Sequence, residues 1–150
     1  MRYLIDTNVV LRRADADSID NAACADAVVT LLEADHDLCV CAQILIEFWA
    51  VSTRPKDVNG LGMTSAVVSQ LTTDLRKTFT CLPEPPDMAD RWQAVADKHS
   101  VAGKQAHDAR IVAIMNAHGI SRILTLNTSD FARYDGIMPI TPQEIVHPSG

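Results

Sequence analysis

Apolar and polar positions fall into two rhythms along the chain. Short runs of β type stand at RYLID (2–6), DLCVC (37–41), the proline-broken TCLPEPP (80–86), SRILTLN (121–127) and IMPIT (137–141). Between them apolar residues recur at helical spacing. TNVVLRRA (7–14) predicts a short helix. NAACADAVVTLLEA (21–34) predicts a longer one with Val28, Leu31 and Leu32 on one stripe. AQILIEFWAVSTR (42–54) is a helix stopped by Pro55. MTSAVVSQLTTDLRKTF (63–79) turns Val67, Val68, Leu71 and Leu75 inward, and DMADRWQAVADKH (87–99) and QAHDARIVAIMNAHG (105–119) follow, the last closed by Gly119 at a C-terminal cap. SDFARY (129–134) reads as a helical turn, and DADSIDN (15–21) and PKDVNGLG (55–62) as loops.

Strands alternating with helices predict a mostly parallel sheet covered by helices, an α/β fold. The 150 residues fit one domain, 1–150. In such a sheet a site forms beyond the carboxyl ends of the strands, where the strand order reverses. Asp6 ends the first strand, and Asn127 and Asp130 follow ILTL.

Composition narrows the picture. At 47% hydrophobic residues the chain carries an ordinary core. No apolar run reaches the ~20 residues of a membrane span, no signal pattern opens the chain, and a cytoplasmic protein without membrane contact is expected. The net charge of −6 disfavours broad electrostatic binding of nucleic acid but permits a narrow basic patch, drawn from Arg12, Arg13, Arg54, Lys56, Arg76, Lys77 and Arg110, or a basic protein partner. Cys39 and Cys41 alternate along one strand; with no second ligand pair at zinc spacing they read as small buried thiols.

The candidate chemistry lies in four acids. Glu47 stands in ILIEFWAV with no lysine or arginine within six residues, among Ile44, Leu45, Ile46, Phe48 and Trp49, which predicts a largely desolvated carboxylate. Asp6 sits between RYLI and the next helix, where an N-cap is the ordinary role. Asp108 shares a helix face with Ile111, Val112 and Met115, so its position favours the core side. Asp130 is the weakest of the four, since NTSDF also reads as the start of a turn. Acids gathered in one pocket repel, and a divalent cation removes the conflict. Hard oxygen ligands favour Mg2+ or Mn2+, and such a site suits phosphoryl chemistry.

YLIDTNVVLR, ILIEFWAVSTRP, HDARIVAIMNAHGISRILTLNTSDF and ITPQEI, in that order, resemble the PIN-domain ribonucleases, and among them the VapC-type toxins of toxin–antitoxin pairs. The resemblance spans nearly the whole chain. It implies a three-layer α/β/α sandwich, Mg2+- or Mn2+-dependent cleavage of RNA phosphodiester bonds, a cognate antitoxin and a homodimer, for which AVVTLLEA offers an apolar face. Asp6, Glu47, Asp108 and Asp130 match the family's acids, with Asp6 and Asp108 as metal ligands. Thr7 and Asn8 match the polar pair that orients the first acid. Asn127 stands where some members carry another carboxylate, a departure that bears on how many ions bind. Two other readings remain: a PIN-like binding module with a silent site, and an HD-type phosphohydrolase built on His107 and Asp108, which would be all-helical.

Overall fold

The structure, a computed structural model, describes residues 1–149. Five strands form one parallel sheet: β1 (Arg2–Ile5), β2 (Asp37–Cys41), β3 (Thr80–Leu82), β4 (Arg122–Leu124) and β5 (Met138–Ile140), in the order β3-β2-β1-β4-β5. Seven helices connect or follow them: α1 (Thr7–Ala14), α2 (Asn21–Glu33), α3 (Ala42–Thr53), α4 (Ser65–Thr78), α5 (Met88–Lys98), α6 (Gln105–Ala117) and α7 (Pro142–Val146).

The chain moves from β1 to β2 to β3 in one direction and then crosses back to β4 and β5. Parallel crossovers are right-handed, so reversing direction places the intervening helices on the opposite face. The packing follows that rule. Helices α1, α2, α3, α4 and α7 touch one another in series, whereas α5 pairs with α6. The result is the expected three-layer α/β/α sandwich, and a sheet centred on β1 and β4 excludes the all-helical alternative.

The core lies on both sides of the sheet. Leu4, Ile5, Ile123 and Leu124 are fully buried, as are Leu38, Cys39, Val40 and Cys41, because a central parallel strand is covered on each face. Phe48 of α3 and Phe131 are fully buried, and burying such a ring contributes about 1.5–3 kcal/mol. Helix α6 is buried continuously from Ile111 to Met115, more than a one-stripe helix would be. Burial lifts the thiols of Cys24 and Cys39 to about 11, which makes them unreactive, while Cys81 is exposed.

Several local expectations change. Leu32 and Val67 face outward, since each stripe is narrower than the apolar content suggests. SRILTLN pairs over only three residues, because the chain leaves the sheet at Thr125 to shape the site. Helix α7 was not foreseen, although Pro142 at its start and the reciprocal Thr141–Glu144 capping box are local signals for it. Gly119 adopts a φ of +65° after α6, the left-handed turn expected of a cap.

Helix α7 packs on α2, so its cap is coupled to the fold. Thr141→Ala removes the hydroxyl that accepts from the Glu144 N–H and is expected to cost about 1 kcal/mol. In urea unfolding the midpoint should fall with the slope unchanged.

Candidate active site

The strand order reverses between β1 and β4, and there the two chain segments leave the sheet side by side. The Asp6 N–H donates to the Leu124 carbonyl at 2.9 Å, and the Thr125 N–H to the Ile140 carbonyl at 2.9 Å. This register sets Asp6 beside Thr125. The Thr125 hydroxyl donates to Asp6 Oδ2 at 2.8 Å, while Asp6 Oδ1 caps α1 by accepting from the Thr7 N–H at 2.8 Å.

Thr7 and Asn8, in the first turn of α1, then reach in different directions. The Thr7 hydroxyl donates to Glu47 Oε2 at 2.7 Å. Asn8 spans to the segment after β4: its Oδ1 accepts from the Leu126 N–H at 3.1 Å and its Nδ2 donates to Thr125 Oγ1 at 3.3 Å. Asn8 therefore acts on Asp6 through Thr125, and Thr7 joins Asp6 to Glu47.

Glu47 is half-buried, not sealed. Ile44 and Phe48 are fully buried, but Ile46 is 67% and Trp49 37% exposed, so only one side of this apolar helix is covered. Gln43, one turn earlier, donates from Nε2 to Glu47 Oε1 at 2.9 Å. Asp108 enters from the first turn of α6 and is partly buried. Asp130 lies at the exposed rim in a 3-10 turn, Thr128–Asp130, where Asn127 Nδ2 donates to its Oδ2 at 2.8 Å. Asn127 thus steadies an acid instead of adding one.

Asp6 and Asp108 lie within electrostatic reach of the other acids. Asp6 is raised to about 6, first by burial and then by the charges of Glu47 and Asp130, against the lowering effect of its Thr125 and Thr7 hydrogen bonds. Asp108 is also raised to about 6, by burial and then by Asp130, Asp6 and Glu47, with His107 opposing.

Among the described residues, no three histidine, cysteine, aspartate or glutamate side chains are gathered tightly enough to cage an ion. The donor set still fits a hard cation. All donors are oxygens, their repulsion calls for positive charge, and Mg2+ commonly binds through one or two carboxylates while keeping several waters. Thr125 and Gln43 were missed from sequence. Gln43 stands four residues before Glu47 on a helix, which was a usable signal; Thr125 opens the segment TLNTSDF, but its action on Asp6 follows only from the β1–β4 pairing.

A parallel α/β/α sandwich with an acidic cleft at its reversal point defines a class of fold and site. The PIN domain family profile matches residues 3–137, and the chain belongs to that family. No curated protein matches the sequence. Among solved structures, the chain is similar to VapBC2 from Rickettsia felis bound to a promoter DNA fragment (TM-score 0.71, 12% identity, covering 94% of this chain and 98% of that one). It is likewise similar to VapBC-1 from nontypeable Haemophilus influenzae (0.70, 12%, 95% and 99%). A third is VapC20 of Mycobacterium tuberculosis, described as a Sarcin-Ricin loop cleaving toxin (0.63, 12%, 90% and 98%). At these identities the likeness is one of fold.

The raised carboxyls predict a pH signature. Between the ordinary value of 3.8 and about 6 the folded chain binds more protons at Asp6 and Asp108 than the unfolded chain does. Their contribution to stability therefore falls as pH rises through that window and stays reduced above it. Asp108→Asn should melt higher than wild type at pH 7 without metal, and the gap should close towards pH 4. Thermal melts in chelator across that range measure it; a pH-independent gap contradicts the crowding.

Proposed function

We propose that this chain is a Mg2+- or Mn2+-dependent endoribonuclease, the toxin of a toxin–antitoxin pair acting in the cytoplasm. The observation that carries the reading is the gathering of acids where the strand order reverses: Thr7 joins Asp6 to Glu47, and burial with the charges of Glu47 and Asp130 raises both Asp6 and Asp108. Membership of the PIN domain family and the fold shared with toxin structures support it. No helix among the described residues is long and apolar enough to cross a membrane.

In this reading Asp6 and Asp108 hold the ion. When bound, the ion supplies charge opposite the scissile phosphate and lowers the proton affinity of water. Thr125 and the Thr7 N–H fix both oxygens of Asp6, so its free lone pairs keep one direction. Glu47, restrained by Thr7 and Gln43, is placed to accept a proton from the attacking water. Asp130, exposed at the rim, would be the acid nearest to incoming RNA in this reading.

The proposed partners follow from the surface of α3. The helix turns Gln43 and Glu47 towards the pocket and Ile46 and Trp49 outward, where Leu45, Ala50 and Thr72 of α4 complete an apolar groove. An antitoxin segment covering this groove would reach the acidic cleft with basic residues. The homodimer is proposed with a different surface from AVVTLLEA alone, because Val28 and Leu31 are buried within the chain while Val29 and Leu32 remain outside.

RNA cleavage should stop in EDTA and return with Mg2+. Glu47→Gln and Asp108→Asn should each lower the rate by roughly 10²-fold or more while staying folded. Mg2+ should raise the wild-type melting temperature by mass action and leave Asp6→Asn nearly unmoved. Cleavage by metal-free protein in chelator would refute the reading. For the dimer, sedimentation at micromolar protein should show a concentration-dependent monomer–dimer equilibrium or a dimer; a monomer at every concentration removes it.

A further inference from the structure

Glu47 is restrained at both oxygens, and neither of the two donors carries a charge. Gln43 is 8% exposed on α3. Its Nε2 donates to Glu47 Oε1 at 2.9 Å and to the His107 carbonyl at 3.1 Å. Its Oε1 accepts from Arg110 Nη1 at 2.9 Å. The other terminal nitrogen of Arg110 pairs with Glu84, in the proline-rich segment after β3. A continuous chain, Glu47–Gln43–Arg110–Glu84, thus links an acid of the cleft to a cation outside it.

A side-chain amide has two orientations of nearly equal shape, and its surroundings select one. Here the choice is strongly one-sided. Turned over, the amide oxygen would face both the Glu47 carboxylate and the His107 carbonyl, and the NH2 group would face a guanidinium. Three attractive contacts would become three repulsive ones, in a buried place where screening is weak. Arg110 is the one member of the set that demands the oxygen, so it sets the polarity of the amide. The amide in turn gives Glu47 a donor that lysine or arginine could not give without neutralising the pocket.

We propose that Gln43 is the positioning residue for Glu47 and that Arg110, anchored by Glu84, dictates the orientation in which Gln43 works. The terminal torsion of a glutamate is soft, and two charge-assisted hydrogen bonds, from Thr7 and Gln43, hold it. The remaining lone pairs of both oxygens then point into the cleft. Without Gln43 the carboxylate turns, and a small misplacement of a reacting group is costly in rate. This inference rests on the proposed nuclease reading for its effect on turnover, but the orientation of the amide stands apart from it.

Two measurements test it. In Mg2+-dependent RNA cleavage, Gln43→Met, of similar shape and without a donor, should lower kcat on the order of 10-fold or more with little change in KM. Gln43→Glu, which sets a carboxylate against Glu47, should fall further, and Arg110→Met should fall less than Gln43→Met. Added to Glu47→Gln, Gln43→Met should cost nothing more, because it acts through Glu47. Additive losses, or wild-type turnover in Gln43→Met, overturn the proposal. The second measurement is the Gln43 side-chain amide in 15N–1H spectra of the metal-free protein. Both protons should exchange slowly with water, and the signals should move in Arg110→Met and in Glu47→Gln. If wild-type protein cleaves no RNA, the nuclease reading fails and this spectrum alone decides: a freely exchanging amide, indifferent to both substitutions, overturns the positioning role, and a protected, responsive one upholds it.

Discussion

The hydrogen bond from the Asp6 N–H to the Leu124 carbonyl joins two segments that lie more than a hundred residues apart in sequence, and the site is built outward from it. It fixes the register at which β1 and β4 end, and so sets Thr125 against Asp6. Asp6 caps α1, which brings the Thr7 hydroxyl to Glu47 and the Asn8 amide back to the segment after β4. A slip of one residue in this pair would turn each of these side chains to the other face. Parallel pairing and the positions of the polar groups are therefore one constraint.

The same geometry makes the cleft costly without a counter-charge. Asp6 is mostly enclosed, Asp108 half so, and burial followed by the charges of neighbouring acids raises the proton affinity of both. Hydrogen bonds from Thr125 and Thr7 offset part of the cost at Asp6, and each such bond to a charged group contributes about 1.5–3 kcal/mol net. The rest remains as a repulsive field directed at a small volume of solvent. In the proposed reading a bound cation would supply the missing counter-charge.

Helix α3 ties the cleft to the outside surface. Three of its residues in sequence face three ways: Ile46 to solvent, Glu47 to the pocket and Phe48 to the core. An apolar partner lying on Ile46 and Trp49 would press on the helix that carries Gln43 and Glu47. On the other side α6 supplies both Asp108 and Arg110, so the acid of the pocket and the cation that orients its neighbour share one rigid element.

The alternation of β-type runs with helical stripes determined the layers, the parallel sheet and nearly every element, because both periodicities are local properties of the chain. Helix α7 was equally local, written in TPQE, and was overlooked. Three of the candidate acids stood out for a similar reason: Asp6, Glu47 and Asp108 sit beside or within apolar runs, where a charge is out of place, whereas Asp130 was picked out by its place after the fourth strand and by the family resemblance. What the tertiary structure alone decided is which groups serve them. Thr125 lies 119 residues from Asp6, and Arg110 lies 67 residues from Gln43. Nothing in their own neighbourhoods says which groups they serve, and only the crossover between β3 and β4 brings them together. The exposure of Ile46 and Trp49 was decided in the same way. Apolar content states how much surface a helix could bury, while the number of neighbouring layers sets how much of it is covered.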